Sequence, residues 1–262
     1  MQRSFETVLF DLSDGIATIT LNRPNALNAI NPQLTVDMVA ALKLCEADDV
    51  RVVVVKGAGR AFGSGDDLKE PFDLKPQDDI ATGFYAPRPP YYNVIRAMRR
   101  LRKPVIAQVH GYCVGASLDL ALGCDIVFAA EDARLGMPNT NRGLTGPTYM
   151  LSQAIGYHRT AELVLVGDLL TGTEAERLGI VNHAAPAARL DEAVMGMARR
   201  LATGATRAKG LAKMALNLGM HKEFEEGSAY HGYAVMLVRE TEDVKEGRQA
   251  FLEKREPRFK GR

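Results

Sequence analysis

Four consecutive valines, Val52 to Val55, lie inside the strand-like run Val50 to Lys56. Consecutive β-branched residues suit a strand buried on both faces, and such strands belong to parallel sheets covered by helices. Neighbouring segments keep that rhythm. Phe5 to Asp11 reads as a strand, and so does Gly15 to Asn22, where Ile16, Thr18 and Thr20 recur at every second position. Between the second strand and the valines, Asn31-Pro32 supplies a cap and a first-turn proline for a helix. Leu34, Met38, Ala41, Leu42 and Cys45 follow there at helical spacing. Pro104 to Val109 reads as a further buried strand, Gly115 to Leu122 as a helix and Asp125 to Ala130 as another strand. The alternation predicts an α/β fold with a parallel sheet.

Beyond about residue 145 the strand signals nearly vanish. Pro147 to Ile155, Arg159 to Val166, Thr173 to Leu178, Leu190 to Thr203, Thr206 to Gly219 and Phe224 to Phe251 read as helices, interrupted only by the short run Ile180 to His183. The division expected is a core over residues 1–200 and a helical C-terminal region over 201–262. The least regular stretch is Pro71 to Pro90, where Phe84, Tyr85, Tyr91 and Tyr92 are candidates either to line an apolar pocket or to anchor a surface loop.

Composition narrows the function. The chain has 262 residues and a formal net charge of +1, which argues against a dedicated nucleic-acid binder. At 28.6 kDa, a compact monomer leaves roughly 11,000 Å² exposed. Cys45, Cys113 and Cys124 form no CxxC pair, so neither a disulfide scaffold nor a zinc site is expected and a reducing, cytoplasmic setting is. No secretion signal opens the sequence and no stretch reaches the ~18 apolar residues of a membrane span. His158, His183, His221 and His231 lack ligand spacing, so no metal is expected. The basic run Arg96 to Lys103 reads as a solvated helix end or a phosphate contact.

Two glycine-rich loops carry the chemistry. The first, Gly57 to Glu70, follows the valine strand with four glycines in its first nine residues. Its GxGxxxG spacing resembles a dinucleotide loop, yet Ser64-Gly65 prolongs the loop and Pro71 cuts any helix short, so amides near Gly65 and Asp66 are better read as donors to an anion or a carbonyl. The second, His110 to Asp125, passes from a strand through Gly111 and Gly115 into a helix whose first free amide is near Ala116. Asp119 lies three residues further along that helix, on the same face, either as a carboxylate beside the ligand or as a charge favoured in a first turn.

Together these loops resemble the enoyl-CoA hydratase/isomerase (crotonase) family. The matching landmarks are Leu21-Asn-Arg-Pro-Asn-Ala-Leu-Asn28, the loop after Gly57, Lys103 to Tyr112, Cys124-Asp-Ile, Ala175 to Val181 and Glu246 to Arg255, in family order. The resemblance implies a spiral of ββα units with a helical C-terminal region that mediates a homotrimer or a hexamer. It also implies an oxyanion hole for an acyl-CoA thioester, made by the main-chain amides of Asp66 and Ala116, with Gly65 and Gly115 beside them. Coenzyme A enters as part of the substrate and no other cofactor is implied. Arg23, Lys69, Phe251 and Lys254 resemble positions that contact CoA, and Tyr149 a position facing the acyl end, where it is either a catalytic proton donor or a buried packing tyrosine.

The family's hydratases use two glutamates, and here Asp119 and Asn139 stand at those positions. Aspartate is shorter by roughly 1.5 Å, a displacement able to cost about a hundredfold in rate, and asparagine exchanges no proton near neutral pH. Three readings follow. Asp119 alone serves as base or nucleophile in an isomerase, hydrolase or decarboxylase. Alternatively it supports residual hydration, or the chain is a non-catalytic acyl-CoA-binding or structural subunit.

Overall fold

The computed structural model describes residues 1–72, 90–146 and 148–262. One sheet has seven strands: β1 (Gln2–Ser4), β2 (Val8–Ser13), β3 (Ile16–Leu21), β4 (Val52–Gly57), β6 (Val105–Val109), β8 (Ile126–Ala130) and β11 (His183–Ala185), in that spatial order. The first three pair antiparallel, and from β3 onward every pairing is parallel. Val52 to Val55 are all buried, as an inner parallel strand requires. Four short strands, β5 (Ala61–Gly63), β7 (Tyr112–Val114), β9 (Arg134–Gly136) and β10 (Leu169–Thr171), form a second sheet in the order β10-β9-β7-β5. Each of β5, β7 and β9 follows a long strand of the first sheet by a sharp turn, which yields the repeated ββα pattern.

Helix α1 (Pro32–Leu44) starts where the sequence predicts, with the Asn31 side chain accepting the Leu34 amide at 2.9 Å. It packs against α2 (Tyr91–Arg100), and α3 (Ala116–Leu122) follows β7. Pro147 to Ile155 and Arg159 to Val166 fall on one helical run, α4 (Tyr149–Val166), interrupted at Gly156, whose φ of 76° and ψ of 175° are not helical. α5 (Gly172–Leu178) and α6 (Leu190–Ala202) follow, the latter covering β4, β6 and β8. α7 (Thr206–Gly219) pairs with α8 (Phe224–Val238) through a small cluster of Leu211, Ala215 and Ala234, separate from the main core.

Three expectations change. The helix read as Phe224 to Phe251 is two, because Thr241 caps a new start by accepting the Val244 amide and opens α9 (Glu242–Glu253). Residues 91–100, just after the irregular stretch, form α2. The second sheet carries no period-2 signal, since its strands are three residues long.

α7 is fastened to the core by a buried cation. Lys213 Nζ donates to the carbonyl oxygens of Met98 (2.7 Å) and Lys103 (3.0 Å) and pairs with Asp125 Oδ2 at 2.7 Å. Asp125 Oδ2 also accepts the Val105 amide, so one carboxylate links α7 to the start of β6. Burial pulls the Lys213 pKa down, against the attraction of Asp125. Replacing Lys213 by Met leaves Asp125 and two carbonyls without their cation. The denaturant midpoint should fall by the equivalent of about 3 kcal/mol, and adding Asp125→Asn should recover part of it. A midpoint unchanged in Lys213→Met contradicts this account.

Candidate active site

The two glycine loops meet above the edges of β4 and β6. In the first, Ile30 forms a parallel bridge with Asp66, donating its amide to Gly65 O (2.8 Å) and accepting that of Asp67 (3.0 Å). Alternation along an extended chain then turns the Asp66 amide to the opposite side, where no main-chain acceptor meets it among the described residues. Gly65, with φ of +91°, adopts a left-handed conformation that L side chains rarely take. A Cβ on it would stand 3.1 Å from Val114 O and 3.7 Å from Ala116 N, which measures how closely the second loop approaches.

In the second loop, Gly115 (φ 55°, ψ −130°) turns the chain into α3. Its amide is taken by Gly136 O, whereas that of Ala116, the first helical residue, has no main-chain acceptor among the described residues. Ser117 ties the loops together. Its fully buried Oγ accepts the Gly65 amide at 3.0 Å.

One turn into α3 stands Asp119, fully buried. Burial pushes its pKa up to about 6, opposed by the Met150 amide and the Tyr92 hydroxyl. Neither carboxyl oxygen has a partner at normal hydrogen-bond geometry among the described residues. Tyr91 and Tyr92, at the start of α2, stack with ring centroids 4.7 Å apart. Burial raises the Tyr91 pKa, and so do the charges of Tyr92, Asp119 and Asp66. The Asp66 carboxyl is itself raised by burial, opposed by its own amide, against which it folds back. Asn139 opens the 3-10 turn Thr140–Arg142 and presses on both Gly115 and Gly146, and its Oδ1 is buried without a partner. Asp66, Ala116, Asp119 and Asn139 thus gather round the two loops. Amides without main-chain acceptors beside a buried carboxyl whose pKa is pushed up to about 6 have the chemistry to polarise a carbonyl and move a proton next to it.

The remaining candidates are placed differently. Arg23 Nη1 is engaged by Asp67 Oδ2 (2.7 Å) and Ala29 O (2.6 Å), bracing the first loop from below. Asp67 would be raised by burial, but Arg23 and the amides of Lys69 and Glu70 outweigh that and hold it low. The Lys69 side chain is exposed. Tyr149, 59% exposed, lines a cleft of about 590 Å³ together with Tyr92, Leu122 and Met150. Phe251 (83% exposed) and Lys254 sit at the end of α9 and share no hydrogen bond or ion pair with the cluster among the described residues. His110 Nε2 bonds Gly59 O at 2.9 Å, a second link between the two loops. Phe84 and Tyr85 lie outside the described residues. No group of three or more His, Cys, Asp or Glu suited to a metal occurs among the described residues.

Sequence reasoning missed three roles. Ser117 was visible only as a small residue in a glycine loop. Tyr92 was expected as a candidate pocket-lining aromatic and does line the cleft, but nothing local announces its approach to Asp119, 27 residues away. Asp66 was read for its main chain, although its side chain is the second carboxyl of the cluster.

Comparison with known proteins agrees with this geometry. Residues 11–262 match the family model for enoyl-CoA hydratase/isomerase. A 2,3-dehydroadipyl-CoA hydratase of Escherichia coli is 35% identical over 251 residues, covering 94% of this chain and 96% of that one. A 1,2-epoxyphenylacetyl-CoA isomerase from the same organism is 34% identical over 266 residues, covering 98% and 99%. Among solved structures, an enoyl-CoA hydratase of Mycobacterium smegmatis superposes with a TM-score of 0.87 at 31% identity, covering 97% of this chain and 98% of that one. A hydratase and an isomerase are thus about equally similar, and with ββα units, paired glycine loops and matches running almost end to end, this chain belongs to the enoyl-CoA hydratase/isomerase family.

Proposed function

We propose that the protein shifts a double bond in an acyl-CoA thioester, with one carboxyl group, Asp119, carrying the proton. The thioester oxygen would accept the amides of Asp66 and Ala116, each such donor contributing about 3 kcal/mol to an enolate. Asp119 would remove a proton from the carbon chain and return it at another carbon. The observation that carries this reading is the buried Asp119, with a pKa of about 6, next to a position held by the amide Asn139. One shuttling group suffices for isomerisation. Hydration, in contrast, needs a water to be activated as well.

A second reading, hydration, is supported by Asp66, whose partly buried carboxyl shares the field around Tyr91 with Asp119. Product analysis on a β,γ-enoyl-CoA and its α,β isomer separates the two. Isomerisation interconverts the thioesters, whereas hydration gives a hydroxyacyl product that Asp66→Ala would suppress.

Gly65, Gly115 and Asn139 would shape the carbonyl site, Arg23 and Lys69 its CoA side, and Tyr149 the acyl side. Phe251 and Lys254 would reach CoA bound to a neighbouring subunit of a trimer or hexamer. Supporting an oligomer, Phe224, Phe251 and Leu252 are each more than three-quarters exposed and Met236 is 67% exposed. A reducing, cytoplasmic setting fits three free, buried cysteines. No helix among the described residues is long and apolar enough to cross a membrane.

As a base Asp119 must be ionised, so kcat/KM should rise with pH through about 6 and level off above it. Asp119→Asn should lower kcat by about 10²- to 10⁴-fold while acyl-CoA still binds. The same group tests the fold. Its folded pKa lies above the ordinary 3.8, so the native state holds the proton more tightly and stability is lost as pH rises from near 4 through 6. That difference corresponds to about 3 kcal/mol, so Asp119→Asn should raise the Tm at pH 7.5 and leave it nearly unchanged at pH 3.5. An inactive variant with no gain at pH 7.5 would contradict the burial argument, and an active one the catalytic assignment.

Ser117→Ala removes the acceptor of the Gly65 amide. With the first loop free to shift by a fraction of an ångström, kcat should fall about tenfold or more and KM change less. Wild-type kcat in this variant would show that the tie is dispensable.

A further inference from the structure

The 590 Å³ cleft begins beside Asp119. Two of its lining residues, Tyr92 and Met150, are the ones whose hydroxyl and amide act on the Asp119 carboxyl. In an acyl-CoA held by its thioester oxygen, CoA lies on one side of the carbonyl and the reacting carbons on the other. Whatever continues past the proton-transfer group is therefore the far part of the acyl chain. The cleft walls suit such a chain, with Ile95, Leu122, Met214 and Leu218 among them.

Its other end is basic. Arg96, Arg99 and Arg100 line it from α2, and among the described residues none of them has a carboxylate within salt-bridge distance. Among the described residues Arg96 donates to Asn93, at 3.0 Å, and Arg99 approaches the Met150 sulfur at 3.9 Å. Asp125 attracts Arg99 from further away but is bonded to Lys213. Like charges four residues apart on a helix, as at Arg96 and Arg100, destabilise it unless an anion sits between them. Along the helix axis, Arg96 stands about 6 Å and Arg100 about 12 Å beyond Tyr92, the reach of a chain several carbons long.

Resting on the acyl-CoA reading above, we infer that this cleft receives the distal half of the acyl group and that Arg96, Arg99 and Arg100 bind a terminal carboxylate. The substrate class is then the mono-CoA thioester of a dicarboxylic acid. Guanidinium groups suit this task, since each offers paired donors to a carboxylate.

Calorimetric titration with unreactive saturated thioesters tests it. Adipyl-CoA is compared with hexanoyl-CoA, suberyl-CoA with octanoyl-CoA, and free CoA serves as the third arm, for the wild type and for Arg96→Gln/Arg100→Gln and Arg99→Gln. At least one carboxyl-terminated thioester should bind the wild type about tenfold or more tightly than its methyl-terminated counterpart. That advantage should shrink to below about threefold in the variants, with free CoA unaffected. Equal wild-type affinity for both members of each pair overturns the carboxylate site and leaves the acyl-CoA reading standing. Equal weakening of free CoA and thioester in the variants also overturns it, by assigning the arginines to CoA phosphates. If neither thioesters nor CoA bind, the acyl-CoA reading falls with it.

Discussion

The hydrogen bond from the Gly65 amide to Ser117 Oγ holds together what the rest of the site requires. Two loops from different strands must present amides without main-chain partners and yet stay rigid, and an unpaired amide normally invites the backbone to rearrange. The conflict is resolved by giving the neighbours of each donor a partner. Ile30 satisfies Gly65 O and the Asp67 amide on either side of Asp66, while Gly136 O takes the amide just before that of Ala116. Arg23 braces Asp67 from beneath. The surrounding network leaves the amides of Asp66 and Ala116 without main-chain acceptors, and a buried hydroxyl of the second loop links it to the first.

Position in the sheet explains why these loops meet at all. β4 and β6 are adjacent and parallel, so the chain leaves both at the same edge. Each then adds a short strand, β5 or β7, and these pair with one another in the second sheet. The ββα repeat therefore places successive loops side by side, and the site follows from connectivity before any side chain is considered.

Much of this was legible in the sequence because it rests on local rules. Val52 to Val55 marked a strand buried on both faces, Asn31-Pro32 marked a helix start, and glycines at 65 and 115 marked places where the backbone leaves ordinary φ. Helical spacing put Asp119 on the same face as Ala116, but its reading as a base came from the family resemblance and not from spacing. What stayed hidden depends on contacts between distant segments or on elements too short for periodicity. β5, β7 and β9 have three residues each, and the break between α8 and α9 turns on a single capping threonine. Tyr92 reaches Asp119 only because α2 packs on α3. The elevated pKa of Asp119 likewise belongs to the packed interior and not to its neighbours in sequence.

α2 is where structure and chemistry are coupled. Its first turn brings Tyr91 and Tyr92 to the Asp119 carboxyl, its middle lines the cleft with Ile95 and Arg96, and its last carbonyls are held by Lys213 and Asn217 of α7. A shift of α7 would be transmitted along a rigid helix to the tyrosines that tune Asp119. α7 is also the helix that pairs with α8, which leaves Phe224, Tyr233 and Met236 exposed. In the oligomer proposed above, a subunit covering these residues would press on α7 and, through Lys213 and Asn217, on the end of α2.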